Sequence, residues 1–281
     1  MSSKTRLALV ATFTVPFVAV GCTHLRPKVW VEETRELTFA ADGVDKLTID
    51  THNGDVAVTG DESRADVHVI AKCKGGGGTH ESAQACLAAI EIVSRSGARG
   101  AHRLAWKWNM SRQRDWSASV EFKVAAPARL ALDADTHNGD VTARGLDGKC
   151  RLTSHNGDIE VRTGPAPLTA TTHNGDIAAH SRGETITLTS HNGDVHLDAS
   201  AIAKLNGKVG THNGRVIVEV GAQTGTELSC NTYNGRITCD VPWQVSKITR
   251  RSAKGVIGAG GAQFAAETYN GNIKVIEGGG A

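Results

Sequence analysis

The sequence predicts an all-β protein: a single-stranded β-solenoid, or right-handed β-helix, with coils of roughly 18–21 residues and a small helix-plus-hairpin insert. Three observations lead there. First, a six-residue word recurs: a small hydroxylated residue, a ring, Asn, Gly, a polar residue and a β-branched aliphatic. It reads Thr136–Val141, Ser154–Ile159, Thr172–Ile177, Ser190–Val195, Thr211–Val216 and Thr232–Ile237, with outlying copies at Thr51–Val56 and Thr268–Ile273. Second, the spacing is regular: the rings at His137, His155, His173 and His191 are 18 residues apart, the next two intervals are 21, and 36 residues lead from Tyr233 to Tyr269. A period of this size marks stacked units that bury their apolar faces only against one another. Third, apolar residues alternate between the words, which is the period of a strand.

The chain opens with Lys4 and Arg6, an apolar run over residues 7–20, and Gly21-Cys22. That run is too short to span a bilayer as a helix and has the layout of a secretory signal. Ala19-Val20-Gly21-Cys22 resembles the lipobox of bacterial lipoproteins, which implies a lipoprotein signal peptide over 1–21 and acylation of Cys22. A plain signal peptide is the alternative. Thr23 after the cysteine implies export onward to an outer membrane, and residues 22–35 read as a tether. Removing the leader takes two bases and no acids from 31 basic and 29 acidic residues. The balanced mature chain gives no electrostatic case for nucleic acid. Five cysteines remain for an oxidising compartment. Cys73 and Cys86 flank a Gly-rich loop, Cys230 and Cys239 flank one corner, and both pairs are candidate disulfides, leaving Cys150 as a buried thiol.

Residues 36–276 form the solenoid. Glu36–Ala40, Lys46–Val58 and Ala65–Ala71 alternate as an opening rung. Residues 73–125 interrupt the pattern: Glu81–Ser94 has helical spacing, while Leu104–Met110 and Ala118–Val124 read as a hairpin linked by Ser111–Asp115. This insert holds Trp106, Trp108 and Trp116 and reads as a lateral or terminal cap, with a ligand-binding aromatic patch as the functional alternative. In the repeats Asn-Gly makes the corner, because both residues accept left-handed backbone. Ile186, Leu188, Ser190 and Asn192 then point inward, with Val195 and Leu197, while Thr187, Thr189, His191, Asp194 and His196 point out. Asn138, Asn156, Asn174, Asn192, Asn213 and Asn234 would stack as an inward ladder. Ser252–Val256 stands where a degenerate copy belongs, Phe264–Ile276 is the last rung, and 277–281 is a tail.

The repeated corner resembles the bacterial putative-adhesin family, a domain of unknown function built on Asn-Gly-Asp corners, over roughly residues 36–276. Arg215, Arg236 and Asn272 depart from its aspartate.

The outward rows His137, His155, His173, His191 and Asp140, Asp158, Asp176, Asp194 are the candidate metal ligands, since imidazole and carboxylate on a rigid face suit a divalent ion. Tyr233 and Tyr269 replace His within the word, which favours a ladder of flat rings over coordination. The same pair recurs in every coil, whereas an active site converges once from unlike residues, so no catalytic residue and no cofactor are expected. The reading is a lipid-anchored, extracytoplasmic cell-envelope module that is not an enzyme, acting in adhesion, as a scaffold or in envelope stress. Its partners would be the membrane, through the anchor, and an envelope protein or glycan. A metal- or pH-responsive surface protein and a carbohydrate-binding or carbohydrate-cleaving β-helix are the alternatives.

Overall fold

Among the described residues, twenty-four strands form two long sheets that face each other across one core, and the Asn-Gly corners join them. The structure is a computed structural model and describes residues 6–10 and 28–279. Cys22, the lipobox and most of the expected leader lie outside them.

The opening segment holds β1 (Arg6–Val10), β2 (Val29–Ala40), β3 (Lys46–Asn53), β4 (Val56–Asp61), β5 (Asp66–Gly77), α1 (His80–Ala88), β6 (Ile90–Ser96), β7 (Ala101–Trp108) and β8 (Ser117–Pro127). Five repeating pairs follow: β9 (Ala131–Asn138) and β10 (Val141–Leu146), β11 (Cys150–Asn156) and β12 (Ile159–Thr163), β13 (Leu168–Asn174) and β14 (Ile177–Ser181), β15 (Thr185–Asn192) and β16 (Val195–Ala199), β17 (Asn206–Asn213) and β18 (Val216–Val220). The chain ends with β19 (Thr226–Asn234), β20 (Ile237–Cys239), β21 (Trp243–Ile248), β22 (Ser252–Ile257), β23 (Gln263–Asn270) and β24 (Ile273–Glu277). Strands entering corners make a pre-corner sheet in the order β21-β22-β19-β23-β17-β15-β13-β11-β9-β3-β7-β6. Strands leaving them make a post-corner sheet in the order β1-β2-β5-β8-β4-β10-β12-β14-β16-β18-β24-β20.

Alternation decides what is buried. Leu152, Ile159, Ile177, Ile186, Leu188, Val195 and Leu197 are all within 1% of full burial, each contributing about 1.5–3 kcal/mol of hydrophobic stabilisation. Neighbouring repeats pair in parallel with each word in register, as Asn156 with Asn138 and Asn174. Among the described residues no helix is long and apolar enough to cross a membrane.

The structure departs from the sequence expectations in where two strands lie and, more often, in which strands pair. The tether expected over 22–35 is partly strand, because β2 starts at Val29 and pairs with β5 along its whole length. Helix α1 stops at Ala88; the β-branched run from Ile90 is β6, which pairs with β7. The expected Leu104–Met110 and Ala118–Val124 hairpin does not form. β7 pairs in parallel with β3, β8 pairs in parallel with β4, and Ser111–Asp115 takes the place of a corner. The hairpin lies instead between β6 and β7, turning through Arg99 and Gly100 at positive φ. The degenerate copy expected at Ser252–Val256 is β22, which runs antiparallel to β19. Nor is the last rung at the end of the stack: β23 lies between β17 and β19.

Candidate functional site

Every position of the repeated word makes a contact to the neighbouring coil, and together these contacts form the long exposed edge of the molecule. The small hydroxyl donates to the corner carbonyl before it: Ser154 Oγ to Gly139 O at 2.9 Å, Thr172 Oγ1 to Gly157 O at 2.9 Å and Ser190 Oγ to Gly175 O at 2.9 Å. The asparagines form a side-chain chain in which Asn156 Nδ2 donates to Asn138 Oδ1 at 2.8 Å and Asn174 Nδ2 to Asn156 Oδ1 at 2.7 Å. Asn192 itself is exposed, so the ladder expected inside lies at the surface. Asn192 is the last residue of β15, at the rim where the two sheets meet, and its side chain lies along the row of corner asparagines rather than in the core.

The aspartates hold the next coil. Asp140 Oδ1 accepts the N–H of Asp158 at 2.8 Å, Asp158 that of Asp176 at 2.7 Å and Asp176 that of Asp194 at 2.7 Å. Asn272 does the same for the Arg236 N–H at 2.9 Å, which explains why an amide is tolerated there. The row begins at Asp55, whose Oδ1 accepts the Asp140 N–H. It ends at Asp194, which also receives Nε and Nη2 of Arg215 at 2.9 and 2.6 Å. Partial burial pushes the Asp194 carboxyl up, but the Arg215 N–H and guanidinium together hold it below the usual carboxylate range.

The rings stack in the order His52, His137, His155, His173, His191, His212, Tyr269, Tyr233, with centroids 4.6–4.9 Å apart and planes within 8° of parallel. Arg251 closes the row 4.6 Å above the Tyr233 ring. Hydrogen bonds to imidazole nitrogen are made by His102, His180 and His196, none of which belongs to the row. The ladder imidazoles thus keep their ring edges free among the described residues. Beside them, Thr153, Thr171 and Thr189 form the other wall of a trough of about 480 Å³ running along the axis.

Two nitrogens on one zinc ion lie within about 3.5 Å of each other, given bonds of 2.0–2.1 Å and tetrahedral geometry. Parallel rings separated by 4.6–4.9 Å do not offer that bite. Among the described residues no three His, Cys, Asp or Glu side chains form a group that would hold a metal. The His and Asp rows that the sequence nominated are side by side, but each carboxylate is engaged with backbone N–H.

The candidate disulfides are not formed: Cys73, Cys86, Cys150, Cys230 and Cys239 are free thiols. Cys86 Sγ donates to Ser117 O at 3.2 Å, whereas Cys73 Sγ points to Ala71 O in its own strand. Cys230 is buried, Cys239 is half-buried, and the two are not bonded. Burial pushes Cys150 and Cys230 up to about 12 and Cys73 up to about 11.

Of the expected aromatic patch, Trp116 is core and the other two tryptophans are half-buried against it. Trp116 is 1% exposed, Trp106 and Trp108 pack against the same cluster, and Trp106 Nε1 donates to Thr51 Oγ1 at 3.1 Å.

The family model for the Toastrack domain, DUF4097, matches residues 30–232. The chain belongs to the toastrack family. No protein of curated function matches it. Similar solved structures include a putative cell adhesion protein from Clostridium sporogenes, 11% identical over 99% of this chain and 100% of that one, with a TM-score of 0.34. A putative adhesin from Bacteroides fragilis is 12% identical over 87% and 96%, with a TM-score of 0.45. In this toastrack chain the racks are the coils, and the corner word supplies the contacts between them. Sequence reasoning missed Asp55 as the first carboxylate and Arg251 as the ring cap. The Thr51 copy of the word signalled the first; nothing in the repeat signals the second.

Proposed function

We propose that this chain is a non-enzymatic display module of the bacterial cell envelope, held to a membrane through lipid on Cys22, with the exposed corner edge as its binding surface. The observation that supports this most is the unbroken row of eight stacked rings, whose free edges run along a stiff two-sheet body. A repeated, periodic surface suits a partner engaged at many equivalent points, as adhesion or scaffolding requires. An active site needs unlike groups brought together once, and this edge repeats the same groups.

Carbohydrate binding is the second reading. It is favoured by the axial trough, which Thr153, Thr171 and Thr189 line together with His155, His173 and His191. Such a trough offers hydrogen bonds at regular intervals to a linear polar polymer.

Replacing His155, His173 and His191 together by Gln tests both readings. The variant is expected to fold, judged by its circular dichroism and melting curve, and to lose retention on envelope glycans or envelope proteins that hold the parent chain. Equal retention would remove the corner edge as the binding surface. Labelled palmitate should enter the parent chain in cells and not Cys22→Ser; label in both would remove the anchor.

A further inference from the structure

The C-terminal end of the solenoid differs from its body at one corner. Along the body, the N–H of each corner glycine and of the aliphatic residue two places on donate to carbonyls of the next coil. Gly157 donates to Asn174 O at 2.9 Å and Ile159 to Asp176 O at 2.9 Å. The outermost coil is β19 and β20, since β23 and β24 lie on its inner side. Gly271 and Ile273 donate to Asn234 O and Arg236 O of that outermost coil at 3.0 and 2.9 Å. Gly235 and Ile237 hold the equivalent positions with no coil beyond them, and among the described residues neither N–H has an acceptor. β20 is therefore an open sheet edge, three residues long.

This open corner is basic. Five coils carry Asp at the fifth position of the word (Asp55, Asp140, Asp158, Asp176 and Asp194), and the outermost carries Arg236. With Asn234, Gly235 and Ile237 it lines a cleft of about 760 Å³ whose far wall is Ile248, Thr249 and Arg250 from the tip of the β21–β22 hairpin. Among the described residues Arg236 and Arg250 make no ion pair, and no acid lines the cleft. The body shows what an arginine does at this position. Arg215 grips the Asp194 carboxylate of the adjacent coil with its guanidinium while its own N–H bonds the same group.

We propose that this end of the solenoid is a docking site for an extended acidic peptide of a partner protein. The peptide adds to the β20 edge as a short further strand. Its alternate carbonyls accept from Gly235 and Ile237, and an acidic side chain lies between Arg236 and Arg250 in charge-assisted hydrogen bonds. Arg251, the next residue after Arg250, stacks on the Tyr233 ring at 4.6 Å. Because β20 is short and Pro242 follows it closely, the addition is limited to three or four residues, and charge supplies most of the selectivity. The site lies C-terminal to the family match at 30–232, at the outer end of the corner edge proposed above, and uses the open backbone and arginines there rather than the His row.

The test uses the full chain and a blocked peptide with the sequence of residues 154–161, Ser-His-Asn-Gly-Asp-Ile-Glu-Val. Titration into isotope-labelled protein should give saturable shifts of the Gly235 and Ile237 amides. Arg236→Gln and Arg250→Gln should each weaken binding by about tenfold, the scale of one lost charged hydrogen bond. A peptide with Asn and Gln in place of its acids should lose as much, whereas Arg162→Gln, on the exposed shaft, should change nothing. Unaltered binding in both cleft variants, or shifts confined to the His row, would overturn the proposal. So would polygalacturonate shifting the same amides while the peptide does not, which would make this an acidic-glycan site. None of these results bears on the His155, His173 and His191 variant, which tests the corner edge separately.

Discussion

Gly193 has a φ of +151°, and a Cβ built there would lie 2.0 Å from the Gly175 carbonyl oxygen of the preceding coil. Backbone conformation and the close approach of two chains therefore require the same residue. Gly193→Ala is expected to cost on the order of 3 kcal/mol or more, read as a fall in the denaturant midpoint. A loss below 1 kcal/mol would mean that the coils can spread apart locally. The acids of the outer face behave differently. Asp135 has its carboxyl pushed up, first by partial desolvation and then by Asp50 and Asp133 beside it. A raised folded-state value favours the protonated form in the fold. The associated stability is present below the ordinary aspartate range and is lost as pH rises through the raised value. At pH 7 the ionised group thus opposes folding, so Asp135→Asn should stabilise by a small amount, within the ~0.5 kcal/mol usual for surface changes. The gain should vanish near pH 3 and shrink in high salt. A destabilised variant at pH 7 in thermal melts would contradict this.

At the scale of elements, the ladders convert a sequence period into a structure, and they show what could be read in advance. The word at Ser154–Ile159 revealed coil, corner and register because each of its residues has one job that few others perform. Asp158 shows how narrow that job is. Its Oδ1 holds the Asp176 N–H and receives no hydrogen of its own from the neighbour's side chain, so Asp158→Asn should leave the melting temperature almost unchanged. Asp158→Ala should cost about 0.5–1.5 kcal/mol, the usual net value of one hydrogen bond; equal melting curves for the two would show that water replaces the carboxylate fully. Strand partners were less legible. Alternation marked Leu104–Met110 and Ala118–Val124 as strands, but alternation is blind to which sheet a strand joins. Ile90–Val93 fitted a helical stripe as well as a strand, and pairing with β7 decided it. The free thiols have the same cause: Cys73 and Cys86 are near in sequence, yet the strand and the helix that carry them turn their sulfurs to different carbonyls. The cleft at Arg236 was visible only as a departure from the word, because its far wall comes from a hairpin outside the repeat.

For the whole molecule, the order of coils is not the order of the chain. β23 enters between β17 and β19 and β24 between β18 and β20, and the ring stack records it as His212, Tyr269, Tyr233. The preceding words still permit a simpler arrangement. Lys204 and Gly225 form a parallel bridge at an offset of 21 residues, and the same offset relates Thr211 to Thr232 and Asn213 to Asn234. β17 and β19 are thus joined at their base and held apart further along by β23, like a fork with a wedge in it. Removing the wedge by ending the chain at Ala262 should let β19 close onto β17 in register, because each side chain of the word then meets its usual partner and the stack loses one coil. Stability in such stacks is close to a sum over neighbouring units, so the shortened chain should melt lower yet still cooperatively. The rearrangement can be measured directly. Lys208 and Ser229 flank Ala265 on the outer face, which separates their Cα atoms by about 9.6 Å, two strand spacings; closure would bring them to about 4.8 Å, within disulfide range. Lys208→Cys with Ser229→Cys should therefore cross-link on mild oxidation in the shortened chain and not in the full one. If no cross-link forms and amides from 226 to 257 exchange freely, the register is held by the inserted coil alone. The 21-residue step would then be a spacing without a structural alternative behind it.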